Sequence, residues 1–494
     1  MFLGIDLGTT GTMCIAFDAE MLPLAQSYRP LKSHHPAEGR VEQDPEEILA
    51  TIIETVAETL PQIGGPDLVQ AVGLDNQGES VLAWDSVTGC ALSPVLVWSD
   101  RRAVDVMVRL QKEGLAAQIR ALSGMELSDY HSAAKITWLL QCHDGVRQAL
   151  REKRLRFGTL DSWVAHRLGG RPAVTDRSTA SRTQLCGLAS GEWDPVLLKI
   201  FGVPIETLAE IRPSLGDWGV LQHPSWGGAL PWCASLVDQP AALAGNACLK
   251  PGEMKVSYGT GCFLVANAGT TVPPPADGLL TSVAWSKGLE CIYARDGGVF
   301  TAGTAVQWLV SLGFAASAAA TSHQAQTAGE SLVRFLPAFT GLGAPWSDAN
   351  ARGVFSGLTA GTTAGHMVRA VLDSIAMRVR DIAEVLWKTG QPRPAALRVD
   401  GGLSKNEYLM QRQADILGLP IECGTTTEAS AKGAAVLAGI AAGVLTWEQA
   451  RASYVVSHRY EPQTDEGRRE SDYAQWLDWL HRARGLGNDT ISAK

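Results

Sequence analysis

The same pattern of apolar and polar positions occurs at two places in the chain. Residues 2–5 and 14–17 are apolar runs that flank the turn 8–12, Gly-Thr-Thr-Gly-Thr. Far downstream, an apolar run leads into the Gly-Thr-Gly turn 259–261, and the run 262–266 leaves it. Short apolar runs around a Gly-rich turn predict a strand, a tight turn and a second strand. Because one such hairpin opens each half of the chain, the pattern predicts two related domains.

Between the hairpins, strand-like and helix-like patterns alternate. Residues 44–56 combine a capping Asp, a Pro and apolar residues at helical spacing, whereas 68–74 has the pattern of a strand that ends in the polar cluster 75–80. Such alternation is typical of an α/β architecture, in which ligands bind at the carboxyl ends of strands. We therefore predict an α/β fold with domains at 1–245 and 246–494.

Four further segments predict local structure. Residues 94–102 have the pattern of a buried strand, and residues 175–182 that of a turn leading into a strand. Thr363 is placed to cap a long amphipathic helix. Ser404, with Glu407 three residues later, has the spacing of a capping box and predicts a helix that begins there.

The two Gly-Thr turns indicate phosphate chemistry. A turn built from Gly and Thr exposes backbone N–H groups and hydroxyls on one side, and such a concave array binds anions. Asp6 stands at the end of the first predicted strand, beside this turn. Magnesium is bound by one or two carboxylates together with phosphate oxygens, so Asp6 predicts a magnesium site. The alternative is an ordinary hairpin with a Gly-rich turn.

A second acid, Asp238, stands at the expected start of a helix. It follows an apolar stretch and precedes a small-residue helix that starts near Pro240. A carboxylate at a helix N-terminus is stabilised in its ionised form. The alternative is that Asp238 only caps the helix. Trp98, likewise, is either core or the wall of a small-ligand pocket.

Composition narrows the class of protein. The chain has 494 residues, 46% of them hydrophobic and 19% charged, with a net charge of -9. This acidic balance argues against nucleic acid or an anionic membrane as partner and favours a cytoplasmic enzyme. Nine cysteines without Cys-x-x-Cys spacing predict free thiols. The apolar segment 433–445 is too short to span a membrane and predicts a buried helix.

Taken together, these motifs resemble the FGGY family of carbohydrate kinases over almost the full length of the chain. The family's second signature is matched by 353–373, GVFSGLTAGTTAGHMVRAVLD, and its first largely by 130–141. Within the family, the segments around 238–242, 257–270, 300–309, 335–346 and 399–420 are most similar to those of glycerol kinases.

The resemblance implies a specific fold, reaction and set of site residues. The fold is that of two actin-like (ribonuclease H-like) ATPase domains with a central cleft, in which ATP and Mg²⁺ meet a small polyol or ketose. The implied activity is transfer of the γ-phosphate to a terminal primary hydroxyl, glycerol first among the acceptors, by a homodimer or homotetramer. The implied residues are Asp238 as base; Gly78, Glu79, Trp98, Tyr130, Asp238, Gln239 and Phe263 for the acceptor; Thr9, Thr10, Gly259, Thr260, Gly303, Gln307, Gly402 and Asn406 for ATP; and Asp6 for the metal, through water.

Two departures from the family pattern affect the site, one through the choice of acceptor and one through the charge beside the phosphates. Glycerol kinases have Gln-Arg-Glu-Thr where this chain has Gln-Gly-Glu-Ser at 77–80. Loss of that Arg removes a fork of hydrogen-bond donors and vacates volume, which favours a larger polyol or a ketose. Met13 stands where family members usually carry Arg or Lys beside the phosphates, so a positive charge is expected elsewhere.

Two alternative functions remain at this point. A pentulose kinase such as xylulokinase is one, although these usually show Met-His-Gly at the loop around Gln77, which this chain lacks. An actin-like ATPase without a small-molecule acceptor is the other. In that case the aromatic residues 98, 130 and 263 are core, and Asp238 is a helix cap.

Overall fold

The computed structural model describes residues 1–487. The first lobe, called here the N-terminal lobe, extends through α9 and is built around the hairpin that the apolar pattern predicts. Its strands are β1 (Phe2–Leu7), β2 (Gly11–Phe17), β3 (Pro23–Pro30), β4 (Glu42–Gln43), β5 (Ala71–Asn76), β6 (Leu82–Asp85), β7 (Val95–Leu96), β8 (Leu155–Gly158), β9 (Val174–Asp176), β10 (Glu210–Arg212), β11 (Val220–Gln222) and β12 (Ala229–Val237). Its helices are α1 (Pro45–Gln62), α2 (Val104–Lys112), α3 (Ala116–Ser123), α4 (Ser132–Cys142), α5 (Asp144–Arg151), α6 (Leu160–Arg167), α7 (Arg177–Arg182), α8 (Pro195–Phe201) and α9 (Asp238–Gly245).

The second lobe, called here the C-terminal lobe, begins with the second hairpin. Its strands are β13 (Met254–Tyr258), β14 (Cys262–Gly269), β15 (Leu280–Lys287), β16 (Glu290–Val299), β17 (Arg334–Leu336), β18 (Val354–Ser356), β19 (Leu397–Asp400), β20 (Ile421–Gly424) and β21 (Val456–Tyr460). Its helices are α10 (Gly303–Ser311), α11 (Ala320–Thr327), α12 (Ala364–Lys388), α13 (Glu407–Leu417), α14 (Ala429–Ala441), α15 (Trp447–Ala452) and α16 (Glu466–Ala483).

The two main sheets repeat one topology. The N-terminal sheet has the order β11-β12-β5-β1-β2-β3, and the C-terminal sheet has the order β15-β16-β14-β13-β19-β20-β21. In each, the first hairpin strand pairs antiparallel with the second and parallel with a later strand: β1 with β5, and β13 with β19. A third parallel strand follows, β12 or β20. The predicted α/β fold of two related lobes is confirmed.

Each lobe has its own apolar core. The N-terminal core packs β1, β5 and α1 around Trp84, Trp163 and Trp232, all of them fully buried. The C-terminal core packs the long helix α12 against the sheet and α16. A third apolar cluster joins the lobes and includes residues of α9 and α14.

The lobes meet most closely where α9 crosses α14. Each helix follows the third parallel strand of its own sheet, β12 or β20. A Cβ built on Gly433 would lie 1.8 Å from the carbonyl oxygen of Ala241, and one on Gly245 would lie 1.9 Å from that of Ala429. The backbones are therefore in direct contact, which only glycine permits. Because α9 starts at Asp238, this crossing also positions that acid.

A methyl group at the crossing is expected to destabilise the protein. We expect Gly433→Ala to lower the free energy of unfolding by about 1–3 kcal/mol, because the atoms that the new Cβ meets are backbone atoms that cannot rotate away. The better helix propensity of Ala offsets only about 1 kcal/mol. Denaturant unfolding measures the change. Gly216→Ala is the control, since its Cβ meets nothing within 4 Å; equal stability of the two variants would contradict the close crossing.

Local predictions hold in part. Asp44 caps α1 and Thr363 caps α12, as predicted. The predicted strand 94–102 is only two residues long, β7, because the chain turns directly after it, where the N–H of Asp100 donates to the carbonyl of Val97 at 2.9 Å. The prediction of a turn leading into a strand at 175–182 is wrong: the strand β9 comes first and ends at Asp176, whose carboxylate accepts hydrogen bonds from the amides of the next turn and starts α7.

The helix predicted to begin at Ser404 begins instead at Glu407. Asn406 is its N-cap and accepts the N–H of Leu409 at 3.0 Å, while the segment Gly402–Lys405 forms a 3-10 turn. The N-cap therefore forms at Asn406, and the predicted capping box of Ser404 and Glu407 does not form.

Two predictions from composition are also tested. All nine cysteines are free. Within residues 1–487, no helix has the length and apolar character that crossing a membrane requires. The segment 433–445 is largely α14, a buried helix, as predicted.

Candidate active site

Two acids lie side by side at the carboxyl edge of the N-terminal sheet. Asp6 and Asp75 are register partners on the parallel strands β1 and β5. Burial raises the pKa of Asp6 to about 7, and burial with repulsion from Asp6 raises the pKa of Asp75. Both carboxylate oxygens of Asp75 are buried without a hydrogen-bond donor. A half-buried carboxylate, Asp6, beside a fully buried one, Asp75, indicates a place where a cation binds.

The first Gly-Thr turn follows β1 directly. The side-chain hydroxyl of Thr9 accepts from Trp98 Nε1 at 3.0 Å and donates to Gln77 Oε1 at 3.3 Å. Thr10 is exposed, and its carbonyl accepts the Tyr28 hydroxyl. Thr9 thus links the turn to Trp98 and Gln77 through its side chain, and Thr10 is the exposed threonine of this turn.

Asp238 is half-buried at the first turn of α9. Its Oδ1 accepts the N–H of Gln239 at 2.6 Å. Burial raises the pKa of Asp238, and the positive charges of Arg182 and Lys255 oppose that rise. Lys255 Nζ also donates to Gln239 Oε1 at 2.7 Å, so it orients the neighbouring amide.

Glu79 is fixed in an unusual conformation next to Gly78. Its φ is +61°, a left-handed value that a non-glycine residue adopts only where the surroundings hold it. Its carbonyl accepts the Ser132 hydroxyl at 3.0 Å, and its carboxylate accepts Arg182 Nε at 2.5 Å. Burial raises the pKa of Glu79 to about 7, against the opposing effect of Arg182.

Arg182 connects the two lobes. Besides Glu79, it donates from Nη1 to both oxygens of Asp296 on β16, at 3.0 and 3.2 Å. All three side chains are almost completely buried. Arg182 Nε also lies 4.0 Å from a Cβ built on Gly78. A guanidinium therefore lies beside the glycine that stands where glycerol kinases have Arg, although this guanidinium comes from α7.

The three predicted aromatic residues lie on both sides of the cleft. The rings of Trp98 and Tyr130 are 5.6 Å apart at 60°. Phe263, on β14, pairs in register with Gly298, and its ring lies 3.0 Å from a Cβ built there. All three are partly rather than fully buried, as the walls of a small-ligand pocket are and a sealed core is not.

The second Gly-Thr turn packs against the start of α10. Gly259 accepts at its carbonyl from the N–H of Gly303, and Thr260 accepts from the N–H of Thr304, at 3.1 Å each. A Cβ on Gly303 would lie 2.4 Å from the Gly259 carbonyl oxygen, so glycine is required here. Gln307, one turn later, is exposed.

Gly402 and Asn406 lie beyond the end of β19, the strand next to β13. A Cβ on Gly402 would meet no atom within 4 Å, which leaves room for a ligand. The Asn406 side chain is already engaged: it caps α13 and donates to Thr321 Oγ1 at 3.0 Å. Its direct contact in this structure is therefore with the protein.

The positive charge expected in place of Met13 is absent from that strand. Met13 pairs in register with Asp6 and packs on the apolar cluster between the lobes. The buried cations close to Asp238 are Arg182 and Lys255. Neither belongs to a phosphate turn.

Four important residues were missed by sequence reasoning as individual site residues: Asp75, Arg182, Lys255 and Asp296. Asp75 had a signal, since it opens the polar cluster after a buried strand. Lys255 and Asp296 also had one, because each places a charge inside an apolar strand. Arg182 had none, because α7 is a buried run of Ser, Thr and Arg without apolar periodicity.

Comparison with known proteins agrees with this geometry. The model of the FGGY family of carbohydrate kinases matches with its N-terminal domain over residues 1–245 and its C-terminal domain over 254–442. The glycerol kinase of Ectopseudomonas mendocina is 38% identical over 490 residues, which are 98% of this chain and 99% of the relative. That of Thermus brockianus is 40% identical over 488 residues, 98% of each chain.

A solved structure extends the agreement to three dimensions. The structure of Plasmodium falciparum glycerol kinase with ADP aligns with a TM-score of 0.92 at 28% identity and covers 97% of both chains. The family match, the relatives and the solved structure all cover most of the length of this chain. The chain belongs to the FGGY family of carbohydrate kinases, enzymes that transfer a phosphoryl group to an alcohol.

Proposed function

We propose that this kinase transfers the γ-phosphate of ATP to a terminal primary hydroxyl of glycerol and forms glycerol 3-phosphate. The observation that carries the proposal is Asp238, a half-buried carboxylate at the start of α9 with two cations, Arg182 and Lys255, close by. The relatives from Ectopseudomonas mendocina and Thermus brockianus, both glycerol kinases, support glycerol as the acceptor.

Asp238 acts as the general base. Its raised pKa brings it closer to the working pH, while the two cations keep it ionised. It accepts the proton of the acceptor hydroxyl as the oxygen attacks the γ-phosphorus and the bond to the β-γ bridging oxygen breaks. Phosphoryl transfer requires chiefly alignment and neutralisation of charge, so positioning by the two lobes supplies much of the rate.

The acceptor lies between aromatic and polar groups. Trp98, Tyr130 and Phe263 provide apolar surfaces for the C–H faces of a polyol, and Glu79 and Gln239 provide hydrogen-bonding groups for its hydroxyls. Arg182 and Lys255 position Glu79 and Gln239 respectively, at 2.5 and 2.7 Å.

The nucleotide lies between the two Gly-Thr turns. Backbone N–H groups around Thr9 and Thr10, and around Gly259 and Thr260, bind the phosphates from opposite lobes. We propose Gly303 and Gln307 on α10, with Gly402 and Asn406 opposite, as the remaining nucleotide residues. Asn406 would then act by fixing the start of α13, since its side chain is engaged there.

Asp6 and Asp75 fit a magnesium ion. Asp6 and Asp75 would supply one or two carboxylate ligands, and phosphate oxygens of the nucleotide would supply others. The unpartnered oxygens of Asp75 and the raised pKa of Asp6 are both relieved by a cation. When bound, Mg²⁺ neutralises phosphate charge; we propose that Asp6 holds it through water.

The test is an acceptor panel on purified protein. Glycerol, erythritol, xylitol and xylulose are each supplied with MgATP, ADP release is measured, and the product is identified by ³¹P NMR. Glycerol is expected to give the highest kcat/KM and glycerol 3-phosphate as product. ATP turnover without any phosphorylated acceptor would contradict the proposal.

The glycine at position 78 favours a second candidate, a larger polyol or a ketose such as a pentulose. A Cβ there would meet only Val237 Cγ2 at 2.9 Å and Arg182 Nε at 4.0 Å. Val237 would have to shift to admit a Cβ, and the Arg182 guanidinium already lies beside Glu79, so the second candidate depends chiefly on the loss of an arginine's donors at position 78.

An arginine at position 78 is expected to change the preference of the enzyme among acceptors. We expect Gly78→Arg to raise the kcat/KM ratio of glycerol to erythritol about tenfold, since a charged hydrogen bond to a three-carbon acceptor is gained while space for a fourth carbon is lost. Gly78→Ala is the matched control, because it adds the Cβ near Val237 without the guanidinium. An unchanged ratio in Gly78→Arg would rule out position 78 as a determinant.

Three further properties are proposals on the same basis. We propose domain limits of 1–245 and 246–494, a cytoplasmic location, and assembly as a homodimer or homotetramer. Gel filtration with light scattering measures the last of these directly.

A further inference from the structure

A cavity of about 390 Å³ lies between the lobes, on a side of α14 that is lined by neither the acceptor residues nor the Gly-Thr turns. The N-terminal lobe contributes apolar side chains from β2 and the start of β3, among them Ile15, Phe17 and Leu22. The C-terminal lobe contributes the threonines 425–427 and Lys432. The N-terminal wall is therefore largely apolar, with Gln26 as its polar member, and the other wall carries hydroxyls, an ammonium group and the carboxylate of Glu428.

Lys432 is the unusual member of this cavity. It is 3% exposed and lies on α14 among alanines and glycines. Its Nζ donates to the carbonyl of Ser453 at 2.7 Å, and it forms no ion pair with any carboxylate of residues 1–487 within 4.0 Å. A buried charge without a counter-ion is unfavourable unless a ligand completes the site.

The remaining titratable groups around Lys432 are few. Glu428 lines the same cavity from the preceding turn of α14, and Tyr454 lines a smaller adjoining cavity; the lining residues of β2 and β3 carry no charge. Burial raises the pKa of Tyr454 and lowers the pKa of Lys432 to about 8. Neither neighbour therefore neutralises the ammonium group by direct pairing.

We propose that this cavity binds a small organic anion with an apolar body, whose charged group pairs with Lys432 while its body packs on Ile15, Phe17 and Leu22. The threonine hydroxyls 425–427 supply further donors to the anionic group. An inorganic anion would leave the apolar wall unused, and a neutral apolar ligand would leave the ammonium group unpaired.

Occupancy of the cavity would affect the contact between the lobes. The turn of α14 that carries Lys432 also contains Ser430, whose hydroxyl donates to the carbonyl of Asp238 at 3.4 Å, and is followed by Gly433 at the crossing with α9. A ligand here touches both lobes at once. It is thus placed to favour one relative orientation of the lobes, and this inference does not depend on which alcohol is phosphorylated.

The experiment uses the full chain and 8-anilinonaphthalene-1-sulfonate, an anion with an apolar body, as the probe. Excess ADP and glycerol are present so that the probe does not report on the cleft. Fluorescence titration is expected to show one site that Lys432→Met weakens at least about tenfold, as loss of a charged hydrogen bond implies. Lys199→Met, at an exposed lysine of α8, should bind as the parent does.

Calorimetry on the parent protein provides a second measurement that needs no variant. Pairing with an anion raises the pKa of Lys432, so binding at pH 8 in two buffers of different ionisation enthalpy should show uptake of about half a proton. No proton uptake, or equal affinity of Lys432→Met and the parent, would show that Lys432 only caps α15 through Ser453 and would overturn the proposal.

Discussion

Replacing Asp238 with asparagine is expected to lower kcat by at least about 100-fold while ATP still binds. Asparagine keeps the shape of the side chain and can still accept the N–H of Gln239, a contact of 2.6 Å. It cannot accept the proton of the acceptor hydroxyl. The positive charges of Arg182 and Lys255 then have no carboxylate base to stabilise. Alignment of the two substrates is the contribution to the rate that remains.

The measurement separates chemistry from binding. kcat is obtained from ADP release at saturating glycerol, and ATP affinity from calorimetry. Asp194→Asn is the matched control, because Asp194 caps α8 through the amides of the next turn and asparagine caps a helix equally well. That variant should keep the parent kcat. A near-normal kcat in Asp238→Asn would remove Asp238 from the role of base and leave it as a structural residue of α9.

The duplicated architecture could be predicted from the sequence because short segments of the chain specify it. Each hairpin is a pair of apolar runs around a Gly-Thr turn, and that pattern needs no knowledge of distant contacts. The start of α9 was predictable to within about two residues for the same reason: Pro240 and a run of small residues predict a helix there, and the structure begins it at Asp238.

The errors occur where tertiary contacts decide between local alternatives. Residues 177–182 become a helix because Asp176 caps it and because the hydroxyls of Ser178 and Ser181 accept the N–H groups of Val237 and Val283 on neighbouring strands. At Ser404, the local capping box loses to Asn406, which gains a second partner in Thr321 from another helix. A single sequence contains the candidate caps but not the partners that choose between them.

The candidate site shows the same division. The residues at strand ends and turns, such as Asp6, Thr260 and Asp238, follow from local pattern. Arg182 does not, since its role depends on Glu79, 103 residues earlier, and on Asp296, 114 residues later. Such long-range ion pairs leave no periodic signal.

Removal of the Arg182 guanidinium is expected to have the largest effect on stability. We expect Arg182→Met to lower the free energy of unfolding by about 3–5 kcal/mol, because Glu79 and Asp296 would remain buried as charges without a partner. This is a large fraction of the roughly 5–15 kcal/mol that stabilises a typical domain. kcat should fall as well, since Glu79 loses the contact of 2.5 Å that orients it toward the acceptor. Denaturant unfolding and steady-state kinetics measure the two effects.

Three further variants separate the ion pairs from simple loss of packing. Arg177→Met is the matched control: Arg177 is on the same helix and also reaches the C-terminal lobe, but its bond is to the carbonyl of Gly288, and its acid partner Glu192 is exposed. It should be much less destabilising, and equal losses in Arg177→Met and Arg182→Met would contradict the ion-pair argument. Arg182→Lys keeps the charge but has no planar fork that bonds Glu79 and Asp296 together, so intermediate stability is expected.

Adding Glu79→Gln to Arg182→Met should restore part of the stability, because one buried charge is removed. It should restore none of the activity, because the acceptor then meets an unoriented amide. Recovery of both would mean that Arg182 serves the fold alone.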